Sequence, residues 1–314
     1  MPDVIGIGNA LVDIQAQVND SVLTEVSVDK GVMTLVDDAR QHGVLSAVGD
    51  APKNQAAGGS AANSIVALAQ LGGRGGFIGR VGDDEMGRVF KEDLESLGIQ
   101  TAMRTADKPT GTCAILITPD AQRTMLTHLS AAGDIGTADI DEDFIKSARY
   151  VYVEGYLLTS EIGREGAMRA MEIAKSNDVK VALTASDPFL VNLIRDQIWD
   201  LIRGPVDLFF CNEEEAKSLT ETDDVMIAAG QIHRDAENVA VTLGADGSLL
   251  MHGGDAIAIS GHAVEAVDTT GAGDMYAGAL LYGITNGMDW KSAGELASKK
   301  SAEVVAQIGP RLPG

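Results

Sequence analysis

Short apolar runs alternate with longer amphipathic segments between residues 150 and 243, and this alternation constrains the fold more than any other sequence feature. The apolar runs predict strands, and the segments between them predict helices. The predicted strands are Tyr150–Val153, Lys180–Thr184, Asp207–Phe210 and Val239–Leu243, and the helices are Gly163–Asn177, Pro188–Ile202 and Glu213–Thr220. Strands connected by helices in this way pair in parallel and are covered on both faces. The sequence therefore predicts a three-layer α/β/α fold around a mostly parallel sheet.

The same pattern extends toward both ends of the chain but is interrupted by two β-rich stretches. The further predicted elements are strand Val4–Gly8, helix Ser60–Leu71, strand Gly76–Gly79, helix Asp84–Leu97, hairpin Ser248–Ile259 and helix Met275–Asn286. The interrupting stretches lie near 10–48 and 99–128, and residues 111–129 predict two strands around a turn at Pro119-Asp120. No Pro- or Ser-rich linker separates independent units. We therefore expect one domain over residues 1–314, with a small accessory sheet inserted in the α/β core.

The charge and the cysteines exclude several classes of protein. The chain has 46 acidic and 24 basic side chains, a net charge of −22, which argues against nonspecific binding to nucleic acid or to an anionic membrane. No uncharged apolar run approaches the ~18 residues that span a bilayer, and the N-terminus does not resemble a signal peptide. Cys113 and Cys211 lie far apart and show no metal-ligand spacing. We expect a cytoplasmic protein without disulfides.

The most informative motif is Asp268-Thr269-Thr270-Gly271-Ala272-Gly273-Asp274, directly before an apolar helix. Three small residues at a helix start leave consecutive backbone N–H groups unobstructed, with the positive end of the helix dipole behind them. Such a nest suits an anion, especially the charge that develops on phosphoryl oxygens. A glycine turn capped by Asp274 is the plainer interpretation. The full motif, late in an α/β chain, favours a functional site.

Three further segments are weaker when taken alone. Gly58-Gly59-Ser60-Ala61-Ala62-Asn63 begins a buried helix, with Asn63 one turn inside it. Asn212-Glu213-Glu214-Glu215 follows a strand and is typical of an ordinary helix start, although carboxylates there also suit hydrated Mg²⁺. Val241–Gly247 is a strand that runs into a glycine turn. The P-loop, dinucleotide, zinc-protease and hydrolase-elbow motifs are missing, and the five histidines show no ligand spacing.

Taken together and in this order, these segments resemble those of the ribokinase-like (PfkB) carbohydrate kinase family, from Gly6 to Pro310. Asp268–Asp274 is similar to the family's C-terminal signature, and Gly58–Asn63 with Leu71-Gly72 to its N-terminal one. Three more matches are Val81–Gly87 with the conserved loop, Asn212…Glu215 with the NxxE element, and Thr242-Leu243-Gly244 with the nucleotide-edge loop. Within the family, Gly8–Asp13, Tyr152–Thr159 and Ala185–Phe189 resemble segments of adenosine kinases.

The resemblance implies an ATP-dependent kinase in which Asp274 is the base for the acceptor hydroxyl. Gly271, Ala272 and Gly273 then supply amides for the transferring phosphoryl group. The nearby helix dipole leads us to expect a low pKa for Asp274. The resemblance also assigns ATP to Asn212, Thr242, Gly244, Thr269 and Arg123, hydrated Mg²⁺ to Glu215, and an optional monovalent cation such as K⁺ to Asp268 and Thr270.

On the acceptor side, the resemblance implies contacts from Asn9, Asp13, Gly59, Ser60 and Asn63. A carboxylate and an amide together can bind the two neighbouring hydroxyls of a ribose. Tyr156 follows a core strand and can stack on a purine, although an ordinary core tyrosine fits equally. The accessory sheet is then expected to close as a lid, because a kinase has to exclude water.

Several alternatives stay open at this point. The same catalytic segment serves a sugar kinase that acts on ribose, fructose or 2-keto-3-deoxygluconate. A doubly wound oxidoreductase is disfavoured by the missing dinucleotide motif, and an inactive sensor by the intact Asp274. The expected partners are ATP and a nucleoside or sugar, with no nucleic acid or membrane, and the protein is a monomer or a homodimer.

Overall fold

The strands of the protein lie where the apolar runs predict them, with several additions. The computed structural model describes residues 1–49, 53–120 and 122–313. The strands in these ranges are β1 (Val4–Ile7), β2 (Leu11–Gln17), β3 (Met33–Leu35), β4 (Lys53–Gly58), β5 (Gly75–Gly82), β6 (Gln100–Ala106), β7 (Gly111–Ile117), β8 (Arg123–His128), β9 (Tyr150–Glu154), β10 (Lys180–Thr184), β11 (Leu208–Asn212), β12 (Asn238–Thr242), β13 (Gly247–His252) and β14 (Asp255–Ser260).

Helices connect most of the strands of the large sheet. Within the same ranges they are α1 (Asp20–Glu25), α2 (Asp38–Ala47), α3 (Ser60–Gln70), α4 (Glu85–Ser96), α5 (Glu142–Lys146), α6 (Glu161–Ser176), α7 (Pro188–Leu193), α8 (Arg195–Arg203), α9 (Glu213–Thr220), α10 (Val225–His233), α11 (Ala272–Thr285) and α12 (Trp290–Val305). Among these, no helix is both long enough and apolar enough to cross a membrane.

The large sheet confirms the predicted fold class. In the described ranges it has nine strands in the order β14-β13-β12-β11-β10-β9-β1-β5-β6. All neighbours from β12 to β6 pair in parallel, and β13 and β14 form the predicted antiparallel hairpin at the opposite edge. One apolar cluster lies between the sheet and helices α6 to α10, and a second lies between the sheet and α3, α4, α11 and α12. The sheet is therefore the middle of three layers.

A second, small sheet is present, but its bounds differ from the predicted ones. In the described residues it has the order β3-β8-β7-β2-β4. Strand β6, inside the predicted stretch 99–128, instead pairs with β5 in the large sheet, and β4 joins the small sheet from outside the predicted stretches. The stretch 10–48 also contains α1 and α2, whose apolar side chains cover one face of the small sheet. Alternation of apolar residues along β2 gave no sign of these helices.

The predicted helix Pro188–Ile202 is wrong in one respect, because the chain forms two helices there. Ile194 separates α7 from α8, with φ −127° and ψ 32°, outside the helical region. Its side chain is buried in the core. The apolar pattern therefore continues through a change of direction, which periodicity alone does not reveal.

Helices α3 and α11 approach each other closely enough to exclude a side chain at Gly278. A Cβ atom at Gly278 would lie 2.2 Å from the carbonyl oxygen of Ser64, whereas one at Gly230 on α10 would meet nothing within 4 Å. We expect Gly278→Ala to lower the free energy of unfolding by about 1–3 kcal/mol because it overpacks this contact. Gly230→Ala should raise it by about 0.5–1 kcal/mol, since alanine favours a helix. Urea denaturation of both variants tests this, and equal effects would contradict it.

Candidate active site

Polar residues gather where the parallel strands of the large sheet end. Asn9 follows β1, Glu154 ends β9, and Asn212 and Thr242 are paired at the ends of β11 and β12. In α/β sheets of this kind, ligands bind in the crevice beyond the carboxyl ends of the strands. The site of this protein therefore lies along this edge, where α3 and α11 also begin.

The glycine-rich loop before α11 forms the predicted nest, with one change. Gly271 has φ +75° and precedes the first helical residue, Ala272. The Ala272 N–H donates to the carbonyl of Thr269 at 3.3 Å and is engaged. Within the described residues, the amides of Gly271 and Gly273 have no protein acceptor. A Cβ atom on Gly273 would meet nothing within 4 Å, so the loop is open to a ligand there.

Asp274 lies beside this loop and is held by α3. Ser60 Oγ donates to Asp274 Oδ1 at 2.6 Å, and Asn63 Nδ2 donates to Asp274 Oδ2 at 3.2 Å. The prediction of a low pKa is wrong. Burial raises the pKa of Asp274 to about 6, although both hydrogen bonds and the charge of Arg311 lower it. At neutral pH the carboxylate is therefore ionised but more basic than an exposed aspartate.

Asp13 belongs to the small sheet and adds a second carboxylate. It is buried, and a Cβ atom on Gly58 would lie 2.3 Å from its Cγ, so only glycine fits opposite it. Burial raises the pKa of Asp13 to about 7, against the charges of Arg311 and Arg123. No donor to this carboxylate is found in the part of the chain that the structure describes. It is therefore ready to accept hydroxyl groups of a ligand.

Glu154 is a site residue that sequence reasoning missed. Its Oε1 accepts from Asn9 Nδ2 at 2.7 Å, and its Oε2 accepts from the backbone N–H of Ala61 at 3.0 Å. Glu154 thereby joins the end of β1 to the start of α3, and Gly8 has no room for a side chain beside it. Burial raises its pKa to about 7. The available signal was a lone glutamate at the end of an apolar strand.

Tyr156 lies in a short 3₁₀ helix, Gly155–Thr159, and is half-buried. Its hydroxyl donates to the carbonyl of Ser186 at 3.3 Å, and Ser186 Oγ accepts from the Gly155 N–H at 3.0 Å. Three residues further on, Phe189 is 75% exposed. The structure thus places an exposed aromatic ring on the segment to which Tyr156 is tied.

The NxxE element forms a capping box at the start of α9. Asn212 Oδ1 accepts from the Glu215 N–H at 2.8 Å, and Glu215 Oε2 accepts from the Asn212 N–H at 2.7 Å. This is the ordinary helix start that the residues themselves indicated. Burial raises the pKa of Glu215 to about 7. Thr242 lies beside Asn212, and Gly244 follows in an exposed turn with φ +59°.

Arg123 is not free to meet a phosphate as the structure stands. It pairs with Asp268, and both side chains are buried. Asp268 also accepts from the backbone N–H groups of Thr270 at 3.0 Å and Gly309 at 2.6 Å. The pair lines a cavity of about 570 Å³ beside the nest loop. The Asp268 carboxylate therefore has its partners within the protein. Binding of a monovalent cation by the backbone around Asp268 and Thr270 stays a prediction.

A nest of free amides beside a basic carboxylate, at the edge of an α/β sheet, is suited to transfer of a phosphoryl group to a hydroxyl. The chain belongs to the pfkB family of carbohydrate kinases, whose model matches residues 26–313. Members of this family are phosphotransferases that act on hydroxyl groups, and they use ATP with a divalent metal, generally Mg²⁺.

Two solved structures and one curated protein are similar over most of the chain. Adenosine kinase from Sinorhizobium meliloti is 36% identical, with a TM-score of 0.93 and 99% of this chain and 96% of that chain covered. A probable sugar kinase from Rhizobium etli is 35% identical, with a TM-score of 0.93 and coverages of 99% and 94%. The 5-dehydro-2-deoxygluconokinase of Bacillus licheniformis is 27% identical over 267 residues, 80% of this chain and 81% of that protein.

The raised pKa of Glu154 has a consequence for stability. Because its pKa rises from 4.5 to about 7 on folding, the folded state keeps a proton that the unfolded chain releases between these values. The free energy of unfolding should therefore fall with rising pH in this window, by about 1.4 kcal/mol per pH unit from this group. Glu154→Gln should remove that part of the slope. Urea denaturation from pH 4.5 to 7.5 measures it, with exposed Glu142→Gln as the control; parallel curves for wild type and Glu154→Gln would contradict the expectation.

Proposed function

We propose that this protein transfers the γ-phosphoryl group of ATP to the 5′-hydroxyl of adenosine, which gives AMP and ADP. The observation that carries the choice of acceptor is the exposed ring of Phe189 on the segment bonded to Tyr156. A large exposed aromatic side chain just beyond the carboxyl end of β10, on the edge where the site lies, offers a binding surface for an apolar or aromatic group. A purine base fits that description, whereas a simple sugar does not.

Asp274 is the base in this proposal. It accepts the proton of the 5′-hydroxyl while that oxygen forms its bond to the γ-phosphorus and the bond to the β–γ bridging oxygen breaks. The hydrogen bonds from Ser60 and Asn63 hold the carboxylate in place. A pKa of about 6 leaves it largely ionised at neutral pH, so it is ready to accept the proton.

The phosphoryl group carries negative charge while it is transferred, and the nest loop lies beside it. The free amides of Gly271 and Gly273 donate to its oxygens, and the start of α11 adds its dipole. Ala272 is left to shape the loop, because its N–H is bonded to Thr269. The net charge of −22 gives no help to an anionic ligand, so ATP depends on these local donors.

The site can hold Mg²⁺ through water and nucleotide phosphates rather than through a cluster of protein ligands. In the described part of the chain, no cluster of three metal-ligating side chains is found. Mg²⁺ keeps much of its hydration shell and binds largely through nucleotide phosphates, so such a cluster is not required. We assign Glu215 to hold Mg²⁺ through water, with Asn212, Thr242, Gly244 and Thr269 along the nucleotide. When bound, the metal neutralises phosphate charge.

The ribose is assigned to Asp13 and to the start of α3. The Asp13 carboxylate has no protein donor in the described ranges, and it occupies the space that a side chain at Gly58 would need. Gly59, with φ +93°, turns the chain into α3 against the carbonyl of Asn9. Vicinal hydroxyls satisfy a buried carboxylate that would otherwise lack partners.

The small sheet is proposed to act as a lid. Asp13, Cys113 and Thr127 are register neighbours across β2, β7 and β8, so they share one face. The opposite face is covered by α1 and α2. Closure of the Asp13 face over the acceptor would exclude water from the reaction.

We also propose a cytoplasmic location, which is consistent with two buried free thiols. The protein is proposed to be a monomer or a homodimer.

A sugar acceptor is the second candidate, because the similar proteins include a 5-dehydro-2-deoxygluconokinase and a probable sugar kinase. The base, the nest and the Asp13 carboxylate would serve a sugar hydroxyl equally well. Only the aromatic side chains of Tyr156 and Phe189 favour adenosine over a sugar as the acceptor.

Asp274→Asn should lower kcat by about 10²–10⁴-fold, because the proton of the acceptor hydroxyl loses its base. The measurement is ATP consumption with Mg²⁺ and adenosine, ribose, fructose, 2-keto-3-deoxygluconate or 5-dehydro-2-deoxygluconate, each offered separately. Asp289→Asn, at the start of α12 and outside the site, is the matched control and should keep wild-type activity. Turnover of a sugar in place of adenosine would overturn the choice of acceptor, and an active Asp274→Asn would overturn the base.

Tyr156→Ala and Phe189→Ala should each raise KM for adenosine at least about tenfold, or ~1.4 kcal/mol, because the adenine ring loses a stacking surface. Met226→Ala, which removes a 54% exposed side chain elsewhere, is the control. Steady-state kinetics with adenosine measure the effect. If KM changed by less than tenfold in both variants, base stacking would be unsupported and a sugar acceptor favoured.

A further inference from the structure

The chain after α12 crosses the active site and is fixed there. The Gly309 N–H donates to Asp268, and Pro310 lies against Gly271, where a Cβ atom would be 2.4 Å from the proline ring. Leu312 packs against a small cluster formed by α3, α11 and α12, and its carbonyl accepts from Gln70 Nε2 at 2.8 Å. These contacts on both sides hold Arg311 in one place.

The guanidinium of Arg311 binds three different elements at once. Its Nε donates to Asn63 Oδ1 on α3 at 3.3 Å, and its Nη1 pairs with Asp93 on α4 at 2.6 Å. Its Nη2 donates to the carbonyl of Ala57 at 2.5 Å, on strand β4 of the small sheet. The side chain is only 15% exposed. Such a planar fork, with all three nitrogens engaged, fixes geometry in a way that a lysine cannot.

Arg311 and Asp274 together decide which way the amide of Asn63 faces. Asn63 lies between Arg311, which can only donate, and Asp274, which as a carboxylate can only accept. The amide oxygen must therefore face Arg311 and the NH₂ group must face Asp274. Without the arginine, the amide oxygen of Asn63 would lose its donor, and only the bond to Asp274 would hold the side chain in this orientation. Arg311 thus acts on the base through one intermediate side chain.

We propose that Arg311 is a positioning residue for phosphoryl transfer: it fixes the amide of Asn63, through it the carboxylate of Asp274, and ties both to strand β4 of the small sheet. This inference rests on the role of Asp274 under the proposed function. It predicts a larger effect on turnover than on acceptor binding, because Arg311 bonds to the side chain that holds the base and reaches the ribose carboxylate of Asp13 only through its charge.

The charge of Arg311 also acts on both carboxylates of the site, lowering the pKa of Asp274 and of Asp13. The groups that face or influence Asp274 are Ser60 and Asn63 on α3, Asp13 on β2, Tyr152 and Glu154 on β9, Tyr156 after β9, and Arg311 on the tail. In this set Arg311 is the group that favours the ionised base by charge. Its removal should therefore move the acidic limb of the pH profile of kcat to higher pH.

The test compares Arg311→Met and Arg311→Lys, assayed with the acceptor that the wild type turns over. We expect both to lower kcat by about 10–100-fold, as a displaced base does, with KM for the acceptor within about threefold of wild type. The acidic limb should move to higher pH in Arg311→Met but not in Arg311→Lys, which keeps the charge. Asp93→Asn removes the negative charge of the outer partner but keeps an oxygen that can accept from Arg311, so it should stay near wild type. Arg169→Met, at a surface ion pair, controls for the loss of one positive charge.

Two results would overturn the proposal: kcat within threefold of wild type in Arg311→Met, or a fall in kcat that follows lost thermal stability without any movement of the acidic limb.

A second measurement needs no acceptor. Titration of the Asp274 carboxyl carbon by ¹³C NMR, assigned by comparison with Asp274→Asn, should give a higher pKa in Arg311→Met than in wild type, and an unchanged pKa would count against the proposal. If no acceptor were turned over by the wild type, the proposed function would fail while this titration still judged Arg311.

Discussion

The hydrogen bonds from α3 to the carboxylate of Asp274 are the interaction on which the rest of the site depends. Ser60 and Asn63 reach a residue more than 200 positions later in the chain, so the position of this carboxylate is set by the packing of two helices rather than by its own loop. Those helices meet almost backbone to backbone at Gly278. Their starts therefore keep one relative position, which places the nest loop, the carboxylate of Asp274 and the start of α3 side by side.

The parts of this arrangement that could be predicted from sequence are contiguous. The nest loop and the start of α3 are short motifs of small residues, and their physical meaning is local. The strand and helix alternation likewise predicted the large sheet. Glu154 and Arg311 were missed because each is a single charged residue whose role depends on distant partners. Neither periodicity nor spacing carries that information.

Burial accounts for two electrostatic features of the site that were not expected from the sequence. The helix dipole suggested a low pKa for Asp274, but desolvation raises this pKa by more than the hydrogen bonds and the charge of Arg311 lower it. Arg123 was expected over the phosphates, yet it lies buried against Asp268, a partner from the nest loop itself. In both cases a local argument was correct as far as it reached. Burial, which only the tertiary structure defines, determined the outcome.

The close contact of α3 with α11 has a consequence for how such a protein can change over time. The contact at Gly278 leaves no room for a side chain, whereas the small sheet and the segment around Phe189 lie away from it. Exposed positions there can change without disturbing the packing of α3 against α11. Related chains can therefore vary in the small sheet and around Phe189 while the contact between α3 and α11 stays the same.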